Sequence, residues 1–137
     1  MSTSITKRFT FEASHRLPNH DGKCSRNHGH SYKLFITVDG EVLQDETHPK
    51  DGMIMDFGDL SAIVDREVVS KWDHHFLAKG DEPELEWLDE VSIQRIGVRT
   101  TAENMAGLIF ETLENEGVPV WQVRLYETES SYATVSK

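Results

Sequence analysis

Two stretches of alternating polarity constrain this chain more than anything else in it. Residues 5–15 place Ile5, Phe9, Phe11, Ala13 and His15 on one parity, interrupted by Lys7, and Thr6, Arg8, Thr10, Glu12 and Ser14 on the other. Residues 30–39 repeat the pattern, with His30, Tyr32, Leu34, Ile36 and Val38 on one side. Successive strand side chains point to opposite faces, so each stretch predicts a half-buried strand. Pro18 and Gly22 mark the loop between them. If both strands stay regular, His15 and His30 end up on the apolar faces of neighbouring strands, where they can converge.

The rest of the chain alternates helix and strand signals. Asp56-Phe57-Gly58-Asp59 introduces a helix through about Trp72, because Leu60, Ile63, Val64, Val68 and Trp72 follow its period. Thr100-Thr101-Ala102-Glu103 predicts a capping box with Thr100 as N-cap and Glu103 reaching back to its amide. Ala102, Met105, Ala106, Ile109 and Leu113 form the buried stripe of that helix, and Gly117 with Pro119 ends it. Residues 120–128 predict a strand with Trp121, Val123 and Leu125 on one face and Glu127 continuing their parity. A short strand near Tyr132 follows. Strand, strand, helix, helix, strand is the order of an α+β domain with a mostly antiparallel sheet. Residues 78–99 hold six acids (Asp81, Glu82, Glu84, Glu86, Asp89, Glu90), fit no element, and predict an acidic, insertion-like solvated excursion.

Length and composition bound the function. A chain of 137 residues reads as one domain, 1–137, with room for a substantial core. Its opening lacks the apolar run of a signal peptide, no stretch is suited to cross a membrane, and one cysteine excludes an internal disulfide. A cytoplasmic setting is expected. The net charge of −10 argues against nucleic acid as a partner. Within it, residues 1–33 carry six Lys or Arg against Glu12 and Asp21, a basic region that suits an anionic small molecule.

That basic region surrounds the segment Cys24-Ser25-Arg26-Asn27-His28-Gly29-His30. Two imidazoles one residue apart can grip one ion from an extended backbone, with Gly29 expected to let the chain turn tightly. With His15 they would give three nitrogen ligands, as in catalytic zinc sites that keep one position open. Iron, cobalt or nickel would also suit imidazole. Cys24 is then either a fourth ligand of a closed, non-catalytic zinc module or a free thiol beside an open site, a candidate base or nucleophile. Asp73-His74 is a carboxylate–imidazole pair if the two touch, and otherwise a histidine at a helix C-terminus. Glu127 is either an exposed strand-end acid or a carboxylate that accepts two parallel hydrogen bonds from a 2-amino-4-oxo ring.

In sequence order stand His15 after Phe11-Glu12-Ala13-Ser14, Cys24-x-x-x-His28-Gly29-His30, Met55 to Leu60, Asp73-His74-His75, Thr101-Ala102-Glu103-Asn104 and Tyr126-Glu127-Thr128. From about residue 5 to 133 this pattern resembles the 6-pyruvoyltetrahydropterin synthase and 6-carboxytetrahydropterin synthase (QueD) family. Ala78, Thr100 and the long stretch 78–99 depart from it. The resemblance implies that His15, His28 and His30 bind one catalytic zinc per subunit and that Cys24 accepts a proton. It implies a relay of Asp73, His74 and Glu127, with Glu127 also anchoring the pterin and Thr101 and Glu103 lining its pocket. The implied architecture is the tunnelling fold, a mostly antiparallel four-stranded sheet with two helices on one face. Trimers then close a barrel, and two trimers stack into a homohexamer with active sites between subunits. The implied substrate is 7,8-dihydroneopterin triphosphate. The wording around the histidines is similar to the bacterial carboxy branch, a lyase of queuosine and deazapurine biosynthesis that releases acetaldehyde and triphosphate; the pyruvoyl branch is the alternative.

Overall fold

The computed structural model describes residues 1–137. Its frame is a long two-stranded ribbon, β1 (Thr3–His15) and β2 (His28–Gly40), antiparallel and in unbroken register from Thr3↔Gly40 to His15↔His28. On the far side of β2 lie β5 (Val120–Thr128) and then β6 (Ser131–Ser136), both antiparallel to their neighbours. Beside β1 run β3 (His75–Ala78) and β4 (Ile93–Arg95), both in parallel pairing. The sheet therefore has six strands, ordered β4-β3-β1-β2-β5-β6, where sequence predicted four. The two additions are three and four residues long, too short to display a period of two, and β3 is buried along most of its length.

Both helices pack on the face that the alternation predicted. Helix α1 is continuous from Phe57 to Trp72, with a wider π turn at Asp65–Val69 between α-helical Phe57–Val64 and Ser70–Trp72. Asp56 caps it by accepting from the Gly58 N–H. Its buried side chains, Leu60, Val64, Val68 and Trp72, recur every four residues, which would drift off the core in a pure α-helix. The wider turn brings them back into line. Helix α2 (Ala102–Asn115) buries Met105, Ala106, Ile109 and Leu113. These side chains form one core with Phe11, Tyr32, Leu34, Ile36, Val38, Val123 and Leu125 of the sheet. Each large apolar side chain removed from water there contributes about 1.5–3 kcal/mol.

Three local expectations are corrected. The N-cap of α2 is Thr101, whose hydroxyl accepts from Asn104 N at 3.2 Å; Thr100 is buried one step earlier and engaged elsewhere. Trp121 is exposed rather than facing the core with Val123 and Leu125, because pairing shifts from Thr37↔Gln122 to Val38↔Val120 and leaves Trp121 as the extra residue. Residues 78–99 are not simply solvated. Leu85 and Ile93 join Phe76 and Ala78 in a second apolar cluster, and Glu82 is buried against Arg16, whose Nε donates to it at 2.7 Å. The remaining five acids of the segment are exposed.

Candidate metal centre and its surroundings

The end of β1 and the start of β2 bring three imidazoles to one point. His15 and His28 are cross-strand partners, and His30 follows on the same face two residues along. Ring centroids lie 4.6 Å (His15–His28), 5.2 Å (His15–His30) and 4.9 Å (His28–His30) apart. One nitrogen from each ring lies within 4.8 Å of the others. In this cluster Gly29 needs no special freedom, contrary to the expectation. It sits in regular antiparallel pairing with Ser14, and strand alternation alone points His28 and His30 the same way.

The rings are held in one tautomer from behind. His15 Nδ1 lies 2.9 Å from the Thr100 carbonyl and 3.1 Å from its hydroxyl, and His28 Nδ1 lies 2.7 Å from the Arg26 carbonyl. A carbonyl only accepts, so these Nδ1 atoms carry the proton and leave Nε2 as a lone pair. The Nε2 atoms of His15 and His30 are buried without a hydrogen-bond partner. Burial, reinforced by the charges of His28 and His30, pushes His15 from 6.5 down to about 4, although the Thr100 carbonyl works the other way. Burial also lowers His30, against the pull of Glu127. Three imidazole nitrogens gathered this closely, two of them with a bare Nε2, form a donor set that fits a divalent cation.

Glu127 is the nearest charge to this cluster. Its Oε1 is 3.5 Å from His15 Nε2 and 3.4 Å from His30 Nε2, although neither contact is a hydrogen bond. It is not a free strand-end acid. It lines a cavity of about 320 Å³ with Ala102, Glu103, Ser131, Tyr132, Ala133, Thr134 and Val135. Glu103 thus shares a cavity with Glu127, whereas the Thr101 hydroxyl is committed to capping α2. Cys24 lies on the short turn Lys23–Ser25, half-buried and outside the cluster of three imidazoles. Its carbonyl accepts from Leu17 N at 2.7 Å, which ties the loop together.

Asp73 and His74 do touch: Asp73 Oδ2 is 2.9 Å from His74 Nδ1. His74 adopts a left-handed φ of 61°, its N–H donates to the Glu12 carbonyl, and the Glu12 N–H donates to Asp73 Oδ1 at 2.9 Å. That last bond, followed by the contact with His74, holds the Asp73 carboxyl below its ordinary range. His74 borders a cleft of about 510 Å³ that includes Glu12, Ser14, Gly29 and Ser31, residues of opposite parity to His15 and Tyr32, and that also takes in Ala13 and His30. His74 thus stands beside residues whose parity is opposite to that of the three imidazoles. Sequence reasoning missed Thr100, read as a cap although it buttresses His15, and gave Tyr32 no part beyond the core. The Tyr32 hydroxyl is buried without a partner beside the cluster, and burial with the Glu127 charge pushes it well above the usual tyrosine value.

A mostly antiparallel six-stranded sheet with helices on one face and a histidine cluster where β1 meets β2 defines a tunnelling-fold protein. Solved structures bear this out: 6-pyruvoyl tetrahydropterin synthase from Caenorhabditis elegans superposes with a TM-score of 0.73 at 24% identity, covering 100% of this chain and 96% of that one. The sequence profile of 6-pyruvoyl tetrahydropterin synthase matches residues 4–137, and the chain belongs to that family. Among curated relatives, 6-carboxy-5,6,7,8-tetrahydropterin synthase of Haemophilus influenzae is 36% identical over 135 residues, covering 93% of this chain and 94% of that protein. The protein of the same name from Synechocystis sp. is 39% identical over 130 residues, covering 94% and 89%.

Proposed function

We propose that this pterin synthase is a zinc-dependent 6-carboxy-5,6,7,8-tetrahydropterin synthase, converting 7,8-dihydroneopterin triphosphate to 6-carboxytetrahydropterin, acetaldehyde and triphosphate. The observation that carries the reading is the convergence of three imidazoles, with Glu127 at 3.4–3.5 Å from two of them, beside a cavity. His15, His28 and His30 would hold one zinc per chain, with Thr100 fixing the tautomer of His15 and Arg26 that of His28. Zinc, when bound, supplies Lewis acidity to the hydroxyls of the substrate side chain. Glu127 accepts two hydrogen bonds from the pterin's amino and ring N–H groups, with Glu103 on the same cavity wall. Thr101 acts through the position of α2 rather than by touching the ring. Cys24 removes a side-chain proton, and His74, oriented by Asp73, shuttles another.

Because His74 stands beside residues of opposite parity to the imidazole cluster, a site that uses both is completed, in this reading, across two copies. That favours an assembly with sites between subunits, a homohexamer of two stacked trimers in this reading. The protein is placed in the cytoplasm, consistent with a single half-buried cysteine. Neither nucleic acid nor membrane has a part in the reaction. The pyruvoyl reaction is the second reading, because the family profile carries that description. Incubation of the purified protein with 7,8-dihydroneopterin triphosphate tests the choice. Acetaldehyde and a 6-carboxypterin mass are expected; a pyruvoyl product with no acetaldehyde overturns the carboxy assignment.

A further inference from the structure

Three buried side-chain polar atoms have no partner: His15 Nε2, His30 Nε2 and the Tyr32 hydroxyl. The first two are explained by a metal. The third is not. Tyr32 is 0% exposed and stacks on Phe11 with centroids 4.9 Å apart. Phenylalanine would fill the same volume without burying an unpaired hydroxyl, which is ordinarily destabilising. The hydroxyl therefore has a use elsewhere.

Its surroundings indicate which. The Tyr32 ring stands edge-on to His30 at 5.5 Å and to His15 at 6.4 Å. Tyr32 follows His30 by two residues on the same face of β2. Pairing of β2 with β5 ends at Lys33↔Tyr126, and one further step in that register sets Tyr32 opposite Glu127. Glu127 rests against His15 Nε2 and His30 Nε2, the two atoms that a metal would claim. A nitrogen that carries a lone pair, free or on a metal, donates nothing to that carboxylate. Glu127 then needs another donor to fix its plane, and the Tyr32 hydroxyl is the unspent donor in that row.

We propose that Tyr32 is a positioning residue: its hydroxyl donates to Glu127 once the imidazoles are committed to metal, setting the carboxylate for the pterin ring. This rests on the functional reading above. Tyr32 itself is sealed from the cavity and does not touch substrate.

The test compares zinc-loaded wild type, Tyr32→Phe, Glu127→Gln and the double variant in fluorescence titrations with neopterin. Zinc content and the melting temperature of the metal-free proteins are measured in parallel. Tyr32→Phe is expected to keep its zinc, melt at the wild-type temperature or higher, and bind neopterin about tenfold more weakly. The double variant should bind no more weakly than Glu127→Gln alone, because one residue acts through the other. Wild-type affinity in Tyr32→Phe, or losses that multiply in the double variant, overturns the inference while leaving the functional reading standing. Weaker binding accompanied by a lower metal-free melting temperature overturns it as well, because the hydroxyl is then structural. If the zinc-loaded wild type binds no neopterin, the functional reading fails first and the inference with it.

Discussion

Histidines stand on both sides of β1, and the two sets live in different media. On the core face His15 is 1% exposed, beside two further imidazoles and with no solvent to stabilise a proton. On the other face the His74 side chain is 78% exposed and leans on Asp73. Burial pushes His15 down to about 4, which keeps its Nε2 lone pair available to a metal. His74, exposed beside the Asp73 carboxylate, borders an open cleft. Strand parity places His15, whereas a left-handed turn before β3 places His74.

That contrast can be broken at several points. The largest effect is expected from His15→Ala, which removes the most buried ligand. Elemental analysis should find the metal lost, and turnover should fall about a thousandfold or more, the loss of several kcal/mol of charge stabilisation. Retained zinc would remove His15 from the centre.

The next effect concerns the metal-free protein and pH. His15 titrates near 6.5 when unfolded and near 4 when folded, so between those values the unfolded chain binds more protons. The stability tied to its neutral form is complete above about pH 6.5 and is lost as pH falls towards 4. The loss is on the order of 3 kcal/mol, from about 1.4 kcal/mol per pH unit. Urea titrations at pH 7, 5.5 and 4.5 should show the midpoint falling; a flat profile would mean that the imidazole is hydrated.

Asp73→Asn probes the exposed face alone. Zinc content and fold should stay as in wild type while kcat falls about a hundredfold, the usual weight of general acid–base assistance. Loss of zinc would mean that the two faces do not act separately. The smallest expected effect is Glu127→Gln, which should weaken neopterin binding about tenfold without altering zinc, because an amide cannot accept both ring hydrogen bonds. Unaltered affinity in a fluorescence titration would take Glu127 out of the pocket.

The same contrast explains what was legible beforehand. Alternation over residues 5–15 and 30–39 made the buried face and the convergence of His15 with His30 readable, and β1 and β2 bear both out. The apolar stripes of α1 and α2 were equally readable. What escaped depended on contacts between distant segments. Whether Asp73 met His74 turned on the left-handed φ of His74 and on two bonds to Glu12, sixty residues away in sequence. Thr100 resembled a cap because local spacing favoured it; burial against His15, eighty-five residues away, made Thr101 the cap instead. Trp121 was misplaced by one bulge. The segment 78–99 looked solvated because its acids outnumber Leu85 and Ile93, yet those two side chains and the Arg16–Glu82 pair anchor it.

The central claim is that a metal rests on three imidazoles while the single sulfur stays free for proton transfer. Cys24→Ala tests it directly, by zinc stoichiometry and turnover measured on the same preparation. One zinc per chain with turnover below about a hundredth of wild type is the result this account predicts. Stoichiometric loss of zinc would make Cys24 a ligand, close the site, and contradict it.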